Sequence, residues 1–121
     1  MKFINIFLFI FFVSATLSEE WIIKPGLNAQ DEIQEALILA EPGDKILLTK
    51  GTYDLNHGLS LDVNNVSIIG EGMYETVLDF SAQETGAQGL LVTSDNVLMQ
   101  DFAIENAKGE YIAFLDSDDE W

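Results

Sequence analysis

His57 is the only histidine of the 121-residue chain, and it sits in the turn Asp54-Leu55-Asn56-His57-Gly58. Proton transfer at neutral pH needs an imidazole held against a partner, and a lone histidine in such a turn reads as a surface residue. The lysines Lys24, Lys45 and Lys50 precede the centre of the chain, Lys108 lies at its far edge, and there is no arginine. None of the four falls within a group of carboxylates, which a low-pKa base would need. Asp79 and Asp101 are single aspartates at the ends of apolar runs, where the side chain can bond to the backbone two residues on, so both read as turn formers. Gly70-Glu71-Gly72 lacks the further glycine, the lysine and the helix start of a phosphate loop, and reads as a turn. Asn65, Asn96 and Asn106 are candidates for a stacked amide ladder pointing inward. No complete catalytic constellation is legible, and the catalytic residues are unknown.

The elements that must position these groups change period along the chain. After the short apolar stretch Glu19 to Lys24, Pro25 and Gly26 break the chain, and Asn28 is placed to cap a helix with Asp31 and Glu32 in its first turn. Ile33, Ala36, Leu37 and Ala40 recur at helical spacing, with Ile38 and Leu39 widening the buried face and Gln30, Gln34, Glu35 and Glu41 turned away. Pro42 and Gly43 end the helix. From Lys45 the period is two. Short strands are expected around Ile46 and Leu48, Thr52 and Tyr53, Leu59 to Val63, Val66 to Ile68, Thr76 to Phe80, Leu90 to Thr93, Val97 to Met99 and Phe102 to Ile104, with a polar loop from Ser81 to Gly89. VNNVSIIGEG and SDNVLMQDFAIENA both set Asn-Val before alternating apolar residues, which puts Asn65 and Asn96 31 positions apart and suggests a repeated layer.

Ala-Glu-Pro-Gly-Asp-Lys-Ile at Ala40 to Ile46, Lys-Gly-Thr-Tyr at Lys50 to Tyr53, VSIIGEG at Val66 to Gly72 and the strands at Thr76 to Phe80 and Gly89 to Val92 resemble the right-handed parallel β-helix proteins of pectin-lyase type. The resemblance implies an all-β fold, a right-handed parallel β-helix (solenoid) with an N-terminal capping α-helix, across residues 19 to 109. It also implies an association with extracellular polysaccharide, and for the lyases of that family a calcium ion held by carboxylates with a Lys or Arg base. The last thirteen residues, GEYIAFLDSDDEW, resemble instead the Asp-x-Asp strand end of family-2 glycosyltransferases. That likeness implies Asp116 and Asp118 as ligands of Mg²⁺ or Mn²⁺ on a nucleotide-sugar diphosphate. The α/β unit that would hold the nucleotide is not legible upstream. Residues 110 to 121 are thus either a glycosyltransferase-like tail or one more β rung, and the parent protein is expected to be longer.

Lys2, the apolar run Phe3 to Val13 and the small residues Ser14, Ala15 and Thr16 follow the order of a secretory signal peptide over residues 1 to 18, too short for a membrane span. Cleavage would leave a secreted or periplasmic chain with no membrane partner. The chain carries 21 acids against five basic residues, a net charge of −16, which excludes phosphate backbones as partners. It has no cysteine, so neither disulfides nor thiolate metal sites are available. The expected function is an exported fragment that binds polysaccharide or is an incomplete lyase or hydrolase. The alternative is a nucleotide-sugar-dependent glycosyltransferase. No cofactor is required; Ca²⁺ belongs to the first reading and Mg²⁺ or Mn²⁺ to the second.

Overall fold

The computed structural model describes residues 18–108. Residues 1–17, which hold most of the expected signal peptide at residues 1 to 18, and the tail from Gly109 with Asp116 and Asp118 lie outside the described residues.

The described chain runs β1 (Glu20–Ile23), α1 (Ala29–Leu39), β2 (Lys45–Leu48), β3 (Gly51–Asp54), β4 (His57–Leu61), β5 (Ser67–Ile69), β6 (Thr76–Asp79), β7 (Thr85–Val92), β8 (Leu98–Gln100) and β9 (Ala103–Glu105). The strands form three sheets, in the orders β1-β2-β5-β8, β3-β6-β9 and β4-β7. Every pairing is parallel.

The expectation of an all-β right-handed parallel β-helix with a capping helix is corrected. The protein is a small mixed α/β domain: three separate short parallel sheets of four, three and two strands surround a core that also takes in the helix, and no closed solenoid forms among the described residues. Alternating apolar residues identify strands, yet they carry no information on whether neighbouring sheets close into one continuous wall. Ala29, Ile33, Ala36 and Leu37 of the helix are at most 3 % exposed and belong to the same cluster as the strand residues. The helix is therefore part of the core.

Register explains which strand residues are inside. In the first sheet Trp21, Ile46, Ile68 and Met99 form one row. Tyr53, Leu78 and Ile104 do so in the second, and Leu61 meets Val92 in the third. Residues two apart share a face, so Leu48 also points inward, and Ile46 and Leu48 are 0 % and 1 % exposed. Burying one such side chain contributes about 1.5–3 kcal/mol. Of the residues at the ends of the rows, Trp21, Met99 and Ile104 are only partly buried, whereas Tyr53 and Leu61 are fully buried.

Several local expectations change. Asn28 does occupy the N-cap position, but its side chain makes no capping bond. Ile38 and Leu39 are exposed. Gln30 and Gln34, expected to face solvent, instead treat the free edge of β4 as a strand would. Gln30 Oε1 accepts the N–H groups of Asn56 and His57, each at 3.1 Å. Gln34 accepts from Ser60 N and donates to Ser60 O, both at 3.1 Å. An unpaired edge is a template for association, and here two amide side chains occupy it. The polar loop is shorter than expected, since β7 begins at Thr85, opposite His57, and its register shifts before Leu90 meets Leu59. The buried Gln83 amide stabilises that irregular start, its Nε2 lying 2.8, 3.3 and 2.9 Å from the carbonyls of Thr85, Gly86 and Gln88.

Asp44 and Tyr53 lock the layers together. Asp44, 4 % exposed, accepts from Glu19 N at 2.8 Å, Trp21 Nε1 at 3.2 Å and Glu41 N at 2.9 Å, joining β1, the helix exit and β2. Burial alone pushes its carboxyl pKa up, but the donors of Glu41, Glu19 and Trp21 together hold it below the ordinary aspartate value. The Tyr53 hydroxyl is 2.9 Å from Ile23 O and 2.7 Å from Thr49 O, and its one proton serves both carbonyls. Tyr53→Phe is expected to lower stability by about 0.5–1.5 kcal/mol, because the carbonyls of Ile23 and Thr49 lose a donor with almost no change in volume while Ile23 O keeps the N–H of Thr49 and Thr49 O the hydroxyl of Thr76. Urea unfolding should show a lower midpoint at an unchanged m-value. Gln34→Ala is expected to cost about 0.5–1.5 kcal/mol at its more exposed position, with greater self-association in sedimentation as the β4 edge is uncovered.

Candidate functional site: the outer face of the second sheet

While Tyr53, Leu78 and Ile104 fill the inside of the β3-β6-β9 sheet, the residues between and beside them face outward. Thr52, Val77 and Ala103 form one outer row, and Asp54, Asp79 and Glu105 form the next. Strands are about 4.8 Å apart, so three carboxylates stand one per strand along a floor of small side chains. Like charges directly opposite one another on adjoining strands are unfavourable. Part of the tension is relieved at the middle: Asp79 Oδ1 accepts Asn106 Nδ2 at 3.0 Å and Ser81 N at 2.9 Å. Those bonds, that from Asn106 foremost, hold the Asp79 carboxyl below its ordinary pKa against partial burial.

At the other end of β6, about 10 Å away for the three steps from Asp79 to Thr76 at ~3.3 Å each, the loop Gly70 to Glu75 is tied on several sides. Glu71 N donates to Thr76 Oγ1 at 3.0 Å, and Glu71 Oε2 accepts Lys50 N at 3.0 Å. Gly72 N donates to Asp101 O at 2.7 Å, and Glu75 O accepts Gly51 N at 2.7 Å. Gly70 cannot carry a side chain, since a Cβ there would collide with the Asp101 carbonyl and with Cβ of Phe102 and Thr76. On this fixed loop Tyr74 is 87 % exposed and Met73 57 % exposed. An aromatic ring with a polar tip, held out by a braced loop, is the kind of group that contacts a ligand with little loss of conformational freedom.

The other candidates are dispersed. His57 is exposed, with Nδ1 2.6 Å from Thr85 Oγ1 on the third sheet. Lys24 lines a shallow depression of about 320 Å³ with Ile22, Pro25, Leu27 and Glu32. Lys45, Lys50 and Lys108 are exposed. Asp79 does act as a turn former through Ser81, and Asp101 adopts a left-handed turn conformation at φ 65°. The inward asparagine ladder is not formed: Asn65, Asn96 and Asn106 are exposed, and all three hold left-handed turns at φ 62°, 59° and 58°. Asparagine tolerates that region better than other side chains, which accounts for its recurrence at corners. Among the described residues no group of three or more His, Cys, Asp or Glu side chains is arranged to hold a metal ion. No helix there is long and apolar enough to cross a membrane.

Nothing in the sequence links Asp54, Asp79 and Glu105, of which only Asp79 stood out, as a turn former. They are 25 and 26 positions apart along the chain, spacings that become neighbours only through the parallel register. Tyr74 carried a usable signal, an aromatic residue between Glu71 and Glu75 just after the glycine pair Gly70 and Gly72, but nothing in its spacing showed that the loop is braced.

No family model, no curated protein and no solved structure matches this chain.

The Asn106–Asp79 bond is testable by titration. Asn106→Gly keeps the left-handed backbone accessible and removes the amide, so the Asp79 pKa should rise toward the ordinary aspartate value in a carboxyl NMR titration. A carboxyl whose folded pKa lies below its unfolded value of about 3.9 stabilises the fold above that value. The contribution disappears as pH falls through the lower folded value. Acid-induced loss of stability below about pH 4 should accordingly be smaller in Asn106→Gly than in the wild type.

Proposed function

We propose that this chain is an exported, polysaccharide-associated binding protein and that the outer face of the β3-β6-β9 sheet, with Tyr74 at its border, is the surface that takes the glycan. The observation that carries the reading is the in-register row Asp54, Asp79 and Glu105 beside the small floor Thr52, Val77 and Ala103. Self-repelling charges kept in line on a sheet run against local stability, and such departures are expected where a surface serves a ligand.

The chemistry supports a neutral, hydroxyl-rich polymer. Carboxylates accept short, charge-assisted hydrogen bonds from hydroxyl groups, and an exposed tyrosine ring offers an apolar face to the C–H side of a sugar. The small floor lets an extended chain approach the backbone of the sheet. A net charge of −16 repels a polyanion, so neutral glycans are favoured over uronates. Export is supported by the order of Lys2, the apolar run Phe3 to Val13 and the small residues after it.

A glycan array probed with the whole chain should show retention of neutral polysaccharides without release of cleaved product. Tyr74→Ala should weaken that retention about 2- to 12-fold, the equivalent of roughly 0.5–1.5 kcal/mol for one aromatic contact. Asp79→Asn should weaken it as well, while Lys45→Ala, exposed on β2 of the first sheet, should not. An array without signal, or Tyr74→Ala and Asp79→Asn variants that bind as the wild type does, would remove this assignment.

A further inference from the structure

Asn65-Val66-Ser67 is an Asn-x-Ser triplet whose middle residue is not proline, the pattern read by asparagine-linked glycosylation in secreted chains. No other asparagine of the sequence is followed two positions later by Ser or Thr. We propose that Asn65 is an N-glycan acceptor. The proposal rests on the export reading and is independent of the glycan-binding face.

The fold is suited to carry the modification. Asn65 is exposed at the corner between β4 and β5, in a left-handed turn at φ 62°. That turn is anchored through its backbone: Asn65 N donates to Asp95 O at 3.0 Å, and Asn65 O accepts Gly43 N at 2.7 Å. Its side chain is free to leave the surface without disturbing either bond. Ser67, by contrast, is the first residue of β5, paired with Lys45 on one side and Leu98 on the other. The triplet is therefore extended and accessible only before β5 joins its sheet, so the transfer takes place on the emerging chain and the folded corner then accommodates the product. The corner lies outside the β3-β6-β9 sheet, between strands of the other two sheets.

The chain contains its own comparison. Asn96 has nearly the same backbone conformation, φ 59°, stands one layer on and is also followed by valine, but Leu98 replaces the hydroxyl residue. Backbone shape is common to both corners and only Asn65 has the third residue that the pattern requires.

In the transfer, Asn65 Nδ2 forms a bond to the anomeric carbon of an oligosaccharide donated by a lipid-linked pyrophosphate. The bond from that carbon to the phosphate oxygen breaks, its electron pair leaves with the lipid pyrophosphate, and the Nδ2 proton passes to a base of the transferase.

The test is secretion of the full chain from a eukaryotic cell, once with its own N-terminal segment and once with residues 1–18 replaced by an established signal sequence. One discrete mass step is expected, removed by peptide amidase digestion with conversion of residue 65 to aspartate. It should persist in Ser67→Thr and vanish in Ser67→Ala and in Asn65→Asp, which keeps the left-handed turn. Leu98→Thr, at a residue 43 % exposed, should add a second step by completing the triplet at Asn96. Recovery of the chain from the medium unmodified behind the established signal would overturn the proposal. Modification there, with no export by the chain's own N-terminal segment, would uphold the acceptor site and reject the export reading instead.

Discussion

Parallel register is the constraint on which the rest of the structure depends. Each inward side chain is covered by its counterpart on the strands beside it, so Ile46 is sealed by Trp21 and Ile68, and Leu78 by Tyr53 and Ile104. A slip of one residue in any strand would turn its whole apolar set outward. That is why the polar groups that fix register are buried where they are. Asp44 ties β1 to the start of β2, and Tyr53 reaches from β3 to the carbonyl at the end of β1. With no cysteine in the chain, these hydrogen-bonded links take the part that covalent staples have in other small domains.

The same register creates the outer face. A parallel sheet that aligns Tyr53, Leu78 and Ile104 on its inside must also align whatever stands one residue later, and here that is Asp54, Asp79 and Glu105. Core packing imposes the alignment; the choice of three acids is separate, and it is opposed by their mutual repulsion. Asn106 and Ser81 offset the middle charge. Apolar burial inside and charge display outside are two consequences of one backbone arrangement.

Most elements were legible because their patterns are local. The stripe Ile33, Ala36, Leu37 and Ala40 is buried as the helical period requires, and Ile46 and Leu48 point inward as alternation requires. What failed was information held between distant residues. Gln30 and Gln34 have the spacing of a solvated helix flank, and only the position of β4 turns them into edge partners. The three asparagines suggested an inward ladder, whereas the dihedral demand of tight corners explains their placement. Of the candidate face, Asp79 was noticed for its turn, and the row to which it belongs was invisible.

The amino-acid sequence by itself determined one helix followed by short strands, the break at Pro42 and Gly43, the inward identity of most apolar residues and a strongly acidic chain without cysteine. These follow from period, breaker chemistry and charge, which act within a few residues. Only the tertiary structure decided that the helix joins the core, that the strands divide into three sheets of unequal size, and that Asp54, Asp79 and Glu105 face outward together. Those outcomes depend on which segments, some 22 to 31 residues apart, come into register. Contacts over such separations are set by packing of the whole interior, and no local pattern contains them.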